Sequence, residues 1–154
     1  MAAQTRLHDR IDASFSKQAF LALIGAELEH VGKGKVVISC NHKDTLTQQQ
    51  GFLHGGVVTS LADVSCGYAA LTMMPDDAEV LTVEFKINLV RAANTNKLIA
   101  TGEVIKAGRT LVVAESSVTD SSGENIIAKM LATMIVSPVT NQEAQSLSRR
   151  RMKQ

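Results

Sequence analysis

Residues 57–74 read VVTSLADVSCGYAALTMM, with apolar side chains on nearly every face of the helix that they would form. A helix that is apolar all round is normally buried, so this segment is predicted to be the central helix of the core. It would extend for roughly 25 Å at a rise of 1.5 Å per residue. Pro75 marks its end, because the residue before a proline disfavours the helical conformation.

The segments on either side of this helix are predicted to be strands. Before it, two runs flank Gly32 and Gly34, which is typical of a hairpin. After it, apolar and polar residues alternate over 81–89, and more strand-like runs follow. The predicted strands are residues 26–30, 35–41, 81–89, 97–106, 111–119 and 126–136.

Strands segregated from one long helix predict an α+β domain, in which an antiparallel sheet wraps around the central helix. This domain is assigned to residues 15–137, between a flexible N-terminus at 1–14 and a flexible C-terminal tail at 138–154. Ser16 is expected to cap a short helix that ends at Gly25. One helix covers only one face of such a sheet, and the sheet edges need closure, so we expect a dimer.

Composition excludes several classes of function. The 154 residues are 45% hydrophobic and 20% charged, as in an ordinary single globular domain. A net charge of +1 and only 3% aromatic residues argue against a nucleic-acid or membrane partner. No secretory signal is expected, because residues 1–10 carry charge throughout, and no transmembrane helix is expected, because no apolar run reaches the length that would span a membrane. Cys40 and Cys66 lie in apolar segments and are expected to be buried thiols, so a cytoplasmic location is predicted.

Asp63 is the main anomaly of the central helix. An ionised carboxylate among apolar side chains is costly unless it is paired or functional. It lies about two turns past Gly56, too far from the helix start for the helix dipole to stabilise it. Perturbed carboxylates collect at active sites, so Asp63 is a candidate catalytic residue. The alternative is an exposed stripe that it shares with Ser60 and Tyr68.

His54-Gly55-Gly56 stands where the central helix begins. Two glycines let a ligand approach the backbone closely, and free N–H groups at a helix N-terminus bind anions. Such donors suit the oxyanion that forms when a thioester carbonyl is attacked. A tight loop into a packed helix is the alternative interpretation of these glycines.

Taken together, these residues resemble a known family. Gly51-Phe-Leu-His-Gly-Gly-Val-Val-Thr-Ser-Leu-Ala-Asp63 followed by Gly67-Tyr-Ala-Ala70 is similar to the hotdog-fold acyl-CoA thioesterases of the phenylacetyl-CoA thioesterase type. Leu81-Thr-Val-Glu-Phe85 and Lys106-Ala-Gly-Arg-Thr110 also match, and the resemblance extends from about Phe20 to Val136.

The resemblance implies a role for several residues. Asp63 would be the nucleophile or the general base, and Gly55 would donate its N–H to the thioester oxygen. His54 would shape the loop, and Thr82 would help to place water. The residues expected to bind the coenzyme A part of the substrate are Gly56, Lys106 and Arg109. An ordinary solvated turn is the alternative for the last two.

The chain departs from the family at one position. Many members have Asn six residues before the histidine, and this chain has Gln48. Gln48 is kept as a candidate site residue because its amide chemistry is the same, and Gln49 or Gln50 could substitute for it. No cluster of metal ligands is apparent, so no metal is expected, and no cofactor beyond the coenzyme A of the acyl-CoA substrate.

The spacing of Gly55 and Asp63 predicts a shared site. Eight residues on one helix span roughly 12 Å along its axis. A reacting atom must lie about 3 Å from both the nucleophile and the oxyanion donor. If both act on one thioester, they come from different chains, with two central helices side by side. The resemblance implies the same homodimer, often paired into a homotetramer.

Two other functions remain open. A hotdog dehydratase needs a histidine paired with an acid, and the four histidines show no such arrangement on the long helix. A non-catalytic acyl-CoA binding module would not need a carboxylate at Asp63. The sequence therefore favours a thioester hydrolase.

Overall fold

The computed structural model describes residues 1–137. One long helix lies against a six-stranded antiparallel sheet and contacts every strand of it. The elements in chain order are α1 (Ala2–Phe15), α2 (Ala19–Ile24), β1 (Ala26–Gly32), β2 (Lys35–Asn41), α3 (Gly55–Leu71), β3 (Val80–Leu89), β4 (Lys97–Ala107), β5 (Leu111–Thr119) and β6 (Ile126–Val136). The sheet order is β1-β2-β4-β5-β6-β3, which confirms the predicted α+β architecture.

Helix α3 is the predicted central helix, and it starts two residues earlier than the apolar run suggested. His54 is its N-cap, and the helix ends at Leu71, with Thr72 as the C-cap. Ten of its seventeen residues are buried, as expected for a helix that is apolar on most faces. Thr72 Oγ1 accepts a hydrogen bond from the Gly34 N–H at 2.7 Å, which ties the β1–β2 hairpin to the end of α3.

A glycine in the sheet lets α3 approach closely. Gly102 of β4 lies directly beneath the backbone of Ser65, and a Cβ at this position would overlap the Ser65 carbonyl group. The Ser65 hydroxyl is fully buried and lies 2.8 Å from the hydroxyl of Ser116 on β5. These contacts fix the helix over β4 and β5 and thereby set the direction in which Asp63 points.

Strand β3 is one edge of the sheet. It pairs with β6 from Val80 opposite Val136 to Leu89 opposite Ala128, and no other strand of residues 1–137 pairs with it. Its register shifts by one residue between Thr82 and Glu84. The strand is exposed along most of its length, although it is rich in apolar residues: Leu81, Val83, Phe85 and Leu89 are all exposed.

The N-terminal segment corrects one prediction. We expected residues 1–14 to be a frayed, flexible terminus, but Ala2–Phe15 form helix α1. Ile11 is fully buried, and the Phe15 ring packs 5.7 Å from the ring of Tyr68. Leu7, Ile11 and Phe15 recur every four residues and form a single apolar stripe, which the surrounding charged residues obscure in the sequence.

Ser16 was also misplaced. It is the C-cap of α1 with helical backbone angles, because α1 continues up to it, and the N-cap of α2 is Gln18. Gly25 ends α2 with a φ of 74°, as predicted. The flexible tail predicted at 138–154 lies outside the described residues, and the domain boundaries remain predictions. Within residues 1–137, no helix has both the length and the apolar character that crossing a membrane requires.

Candidate active site

Asp63 lies on α3 where the helix passes the start of β3. Its Oδ1 accepts a hydrogen bond from the Thr82 hydroxyl at 2.8 Å. Thr82 pairs with Met134 of β6, which is fully buried. Directly paired residues of neighbouring strands face the same side of the sheet, so the side chain of Thr82 faces α3. The structure thus brings two of the predicted site residues into contact, while the role of Thr82 in placing water stays a prediction.

The environment of Asp63 makes it a stronger base than an exposed aspartate. Burial raises the pKa of its carboxyl group above the ordinary value, and the hydrogen bond from Thr82 opposes part of that rise. The predicted alternative was an exposed stripe that includes Tyr68, but Tyr68 is only 3% exposed. Asp63 is thus a half-buried carboxylate beside a cavity of about 230 Å³.

The loop before α3 leaves one backbone donor free. His54 Nδ1 accepts the N–H of Gly56 at 2.8 Å, so this N–H is occupied. Within residues 1–137, the N–H of Gly55 has no hydrogen-bond acceptor. His54 thus caps the helix and shapes the loop, while Gly55 presents the donor that an oxyanion requires.

The amide of Gln48 turns back onto its own loop. Its Nε2 donates to Gln50 Oε1 at 3.3 Å, and its Oε1 accepts the backbone N–H of Gln50. Gln48 and Gln50 both line a cavity of about 310 Å³ beside Gly55, whereas Gln49 does not line it. Two of the three candidate glutamines therefore lie near the free Gly55 N–H.

Within one chain, Asp63 and Gly55 face different cavities. The cavity beside Asp63 contains Thr82 but not Gly55, and the cavity beside Gly55 contains Gln48 but not Asp63. The uninterrupted helix between the two residues keeps them roughly 12 Å apart along its axis. One chain by itself does not bring the two groups to a common atom.

Lys106 and Arg109 are not gathered with these groups. Lys106 lies near the end of β4 and Arg109 in the turn before β5, and both side chains are exposed. Neither lines the cavity beside Asp63 or the cavity beside Gly55. Their assignment to coenzyme A remains a prediction.

The structure adds site residues that sequence reasoning missed. Ser14 on α1 and Gln18, the N-cap of α2, both line the Asp63 cavity, and Glu79 enters from the loop before β3. The four-residue apolar repeat of α1 could have placed Ser14. Arg91 lines the Gly55 cavity just after β3, but no sequence pattern distinguished it from other exposed arginines.

The buried thiols are not candidates for nucleophiles. Cys40 and Cys66 are both free and buried, as predicted. Burial, the largest cause, raises the pKa of Cys66 to about 12, so its thiol stays protonated near neutral pH. Within the described residues, no three His, Cys, Asp or Glu side chains are grouped as a metal site. The carboxylate of Asp63 is the group best placed for hydrolysis.

Comparison with known proteins shows the family to which the chain belongs. The family model of the thioesterase superfamily matches residues 50–127, which include the loop before α3, Asp63 and Thr82. The chain belongs to the thioesterase superfamily. The chain is accordingly a thioester hydrolase, the function that the sequence favoured.

Two relatives illustrate the range of the family. A protein of Saccharolobus solfataricus, whose name places it provisionally among the esterases, is 33% identical over 135 residues, covering 88% of this chain and 89% of the relative. The 1,4-dihydroxy-2-naphthoyl-CoA hydrolase of Listeria monocytogenes is 31% identical over 99 residues, covering 64% and 80%.

Solved structures confirm the fold of this thioesterase. A thioesterase family protein from Silicibacter pomeroyi superposes with a TM-score of 0.81 at 39% identity, covering 84% of this chain and 97% of the other. The PaaI protein from the phenylacetic acid degradation operon of E. coli gives a TM-score of 0.80 at 17% identity, covering 89% and 97%. The predicted hotdog fold, with a sheet wrapped around one helix, is therefore confirmed.

Proposed function

We propose that this thioesterase hydrolyses acyl-coenzyme A to a free acid and coenzyme A, at a site shared by two chains. The observation that supports this most directly is the free N–H of Gly55 on one end of α3, with a half-buried Asp63 two turns further along. The Listeria monocytogenes relative is named for the hydrolysis of an aryl-CoA thioester, which supports the same substrate class.

In the proposed reaction, the thioester carbonyl lies between Asp63 of one chain and Gly55 of the other. Asp63 either attacks the carbonyl carbon directly or removes a proton from an attacking water. The carbonyl oxygen gains negative charge, which the Gly55 N–H stabilises. The carbon–sulfur bond then breaks, and coenzyme A leaves as its thiolate, which takes up a proton. In the direct attack, a water then hydrolyses the anhydride between the acyl group and Asp63, which releases the free acid and restores the carboxylate. Thr82 holds the Asp63 carboxylate in place through its hydrogen bond.

The free edge of β3 supports the dimer that this reaction requires. Leu81, Val83 and Leu89 are each at least half exposed, on a strand with one unpaired edge. Such an edge is rarely left open in a stable protein, because it would pair with other chains. A second copy in a two-fold arrangement would cover it and would also place two α3 helices side by side.

A second apolar surface is available for pairing dimers into the proposed homotetramer. Leu111 of β5 and Leu131 of β6 are about half exposed. They lie on the face of the sheet away from α3, since their chain neighbours Val112 and Met130 are buried. Leu111 pairs across the strands with Ile135, so the apolar character extends over both strands.

The coenzyme A part is proposed to extend to the basic residues Lys106 and Arg109 at the β4–β5 turn. Both are exposed cations without an ion-pair partner within residues 1–137. Charge-assisted contacts to phosphate are stronger than neutral hydrogen bonds, so two free cations suit this role. A cytoplasmic location is proposed because both described cysteines are unpaired thiols.

A panel of acyl-CoAs tests the reaction. Purified protein mixed with aryl-CoAs and with acetyl- through stearoyl-CoA should release free thiol from some of them, measured with a thiol-trapping dye. The activity should resist a chelator, because no group of ligands for a metal is found within residues 1–137. Asp63→Ala and Asp63→Asn should lower turnover by about a hundredfold or more, since they remove the nucleophile or base.

The Asp63 variants should stay folded, because they remove a charge that burial already destabilises. Circular dichroism and the measured mass provide the control. Near-normal turnover in a folded Asp63→Asn protein would contradict the assignment of Asp63. Thiol release from no member of the panel, or loss of activity with chelator, would contradict the reaction itself.

A further inference from the structure

The cavity beside Asp63 continues past Val64 and Gly67 to a polar end. We propose that this cavity receives the acyl group, and that Gln18, Tyr68 and Glu79 select acyl groups whose far end is uncharged and can form hydrogen bonds. The inference rests on the proposed function, since it takes the thioester to lie at Asp63.

The charges of this cavity favour the acyl group over the coenzyme A arm. Coenzyme A carries several negative phosphate charges, and the charged side chains that line the cavity are the carboxylates of Asp63 and Glu79. Like charges at close range disfavour each other strongly in a partly buried site. The volume of about 230 Å³ has room for a short acyl group but not for a nucleotide.

The polar end has a hydroxyl group that can bind a ligand. Gln18 Nε2 donates to Tyr68 Oη at 2.6 Å, whereas the Ser14 hydroxyl lies 3.3 Å away. The second distance exceeds the usual range of about 2.5–3.0 Å for a hydroxyl pair. The Ser14 hydroxyl is therefore a long-range acceptor for the Tyr68 proton, which can turn from it to an oxygen at the end of an acyl group. Burial raises the pKa of Tyr68, which keeps this donor protonated.

Glu79 makes the same end unfavourable for a carboxylate. It lines the cavity together with Ser14 and Gln18, and it has no ion-pair partner within residues 1–137. An acyl group that ends in a carboxylate would place a second negative charge beside it, and no cation lines this cavity; Arg10 and Lys17 line a separate cavity that Glu79 also lines. Hydroxyl-terminated acyl groups have no such cost, and they can donate to Glu79.

Helix α1 holds this end of the cavity in place before substrate binds. Arg10 donates to the carbonyl of Pro75 at 2.7 Å and to that of Ala78 at 3.2 Å, so it ties α1 to the loop that leads to Glu79. Ile11 is fully buried beneath the helix. The selecting residues are Gln18 at the start of α2, Tyr68 on α3 and Glu79 in this loop, and these contacts hold α1, which precedes Gln18, against the loop.

The test compares three acyl-CoAs of one chain length, which differ only at the far end: methyl, hydroxyl or carboxylate. At six carbons these are hexanoyl-, 6-hydroxyhexanoyl- and adipoyl-CoA; the length used is the one that the panel shows to be best. If aryl-CoAs are faster, the set is benzoyl-CoA with hydrogen, hydroxyl or carboxylate in the para position. kcat/KM is measured for each substrate.

Glu79→Gln should raise kcat/KM for the carboxylate-terminated substrate about tenfold relative to the methyl-terminated one, since only the former meets the charge. Asp77→Asn is the matched control. It removes the same charge two residues away, from an exposed side chain that does not line the cavity, and it should change neither value.

Tyr68→Phe should lower kcat/KM for the hydroxyl-terminated substrate about 3- to 10-fold relative to the methyl-terminated one, the range of one neutral hydrogen bond. Gln18→Leu should also lower kcat/KM for the hydroxyl-terminated substrate relative to the methyl-terminated one. This second variant provides the test if Tyr68→Phe does not fold. Equal changes for all three substrates, or none, would overturn the inference. If no acyl-CoA is hydrolysed, the proposed function itself fails, which is a separate result.

Discussion

Among single residues, the Asp63–Thr82 pair gives the clearest electrostatic consequence. Burial raises the pKa of Asp63, and the hydroxyl of Thr82 stabilises its ionised form through the 2.8 Å hydrogen bond. The ionised carboxylate is the active form in either proposed role. Activity should therefore fall as the pH drops through the pKa of Asp63, and the acidic limb of the pH profile reports this pKa.

Thr82→Val removes the donor and should shift that limb to higher pH, because the ionised carboxylate loses its hydrogen bond while burial still raises the pKa. Thr82→Ser keeps a hydroxyl and is the matched control, with its limb close to that of the unmodified protein. The measurement is kcat/KM against pH for one acyl-CoA. A limb that stays in place in the valine variant, or moves to lower pH, would show that Thr82 does not act on Asp63.

Some of the site residues could be predicted from the sequence and others could not. Asp63 stood out because burying a charged carboxylate in an apolar helix is costly unless the carboxylate is paired or functional. Gly55 and Gly56 could be placed with His54 at a helix start, and the family resemblance assigned the donor N–H to Gly55. The residues alone do not say which N–H is free, since that depends on the direction of the His54 ring. Lys106 and Arg109 look identical in sequence to any solvated turn, and the fold does not bring them to either cavity.

At the scale of secondary structure, the contact between α3 and the sheet depends on one glycine. Gly102→Ala would place a methyl group against the backbone of Ser65, and neither the helix nor the strand can move easily. We expect a loss of about 1–3 kcal/mol in the free energy of unfolding, as for other overpacked core positions. Thermal or urea denaturation measures it.

Gly67→Ala is the control, because it adds a methyl group to α3 itself where the nearest atom, on Val80, is at ordinary contact distance. Alanine is the better helix former, so this variant should gain up to about 1 kcal/mol. Equal effects of the two substitutions would contradict the idea that the close approach at Gly102 positions the helix.

The elements themselves were largely predictable, because strict alternation and an apolar helix produce strong patterns. Helix α1 was the exception. Its apolar stripe of Leu7, Ile11 and Phe15 is one residue wide and lies among charged side chains. It becomes stable only by packing against α3 and β1, which is tertiary information that the local sequence does not contain. The polar end of the Asp63 cavity was missed for the same reason.

For the whole molecule, the central claim is that two chains build one site. It rests on the roughly 12 Å between Gly55 and Asp63 along α3, on their separate cavities and on the exposed edge of β3. The sequence predicted the need for a partner, but the surface that the partner covers became visible only once β3 was placed at the sheet edge.

Two inactive variants test this claim in combination. Asp63→Ala removes the carboxylate, and Gly55→Pro removes the backbone N–H. Proline is tolerated at the first position of a helix, and His54 before it already has extended angles, with φ −62° and ψ 138°. Gly55→Ala meets the same Leu89 methyl group but keeps the N–H, so it separates steric effects from loss of the donor.

The most direct measurement is the activity of hybrids made by unfolding and refolding the two inactive variants together, with mass spectrometry to verify mixed dimers. Each mixed dimer has one site with both defects and one intact site. Random pairing makes about half of the dimers mixed, so roughly a quarter of the original activity should return. Verified mixed dimers with no recovered activity would contradict the account, because each site would then be built within a single chain.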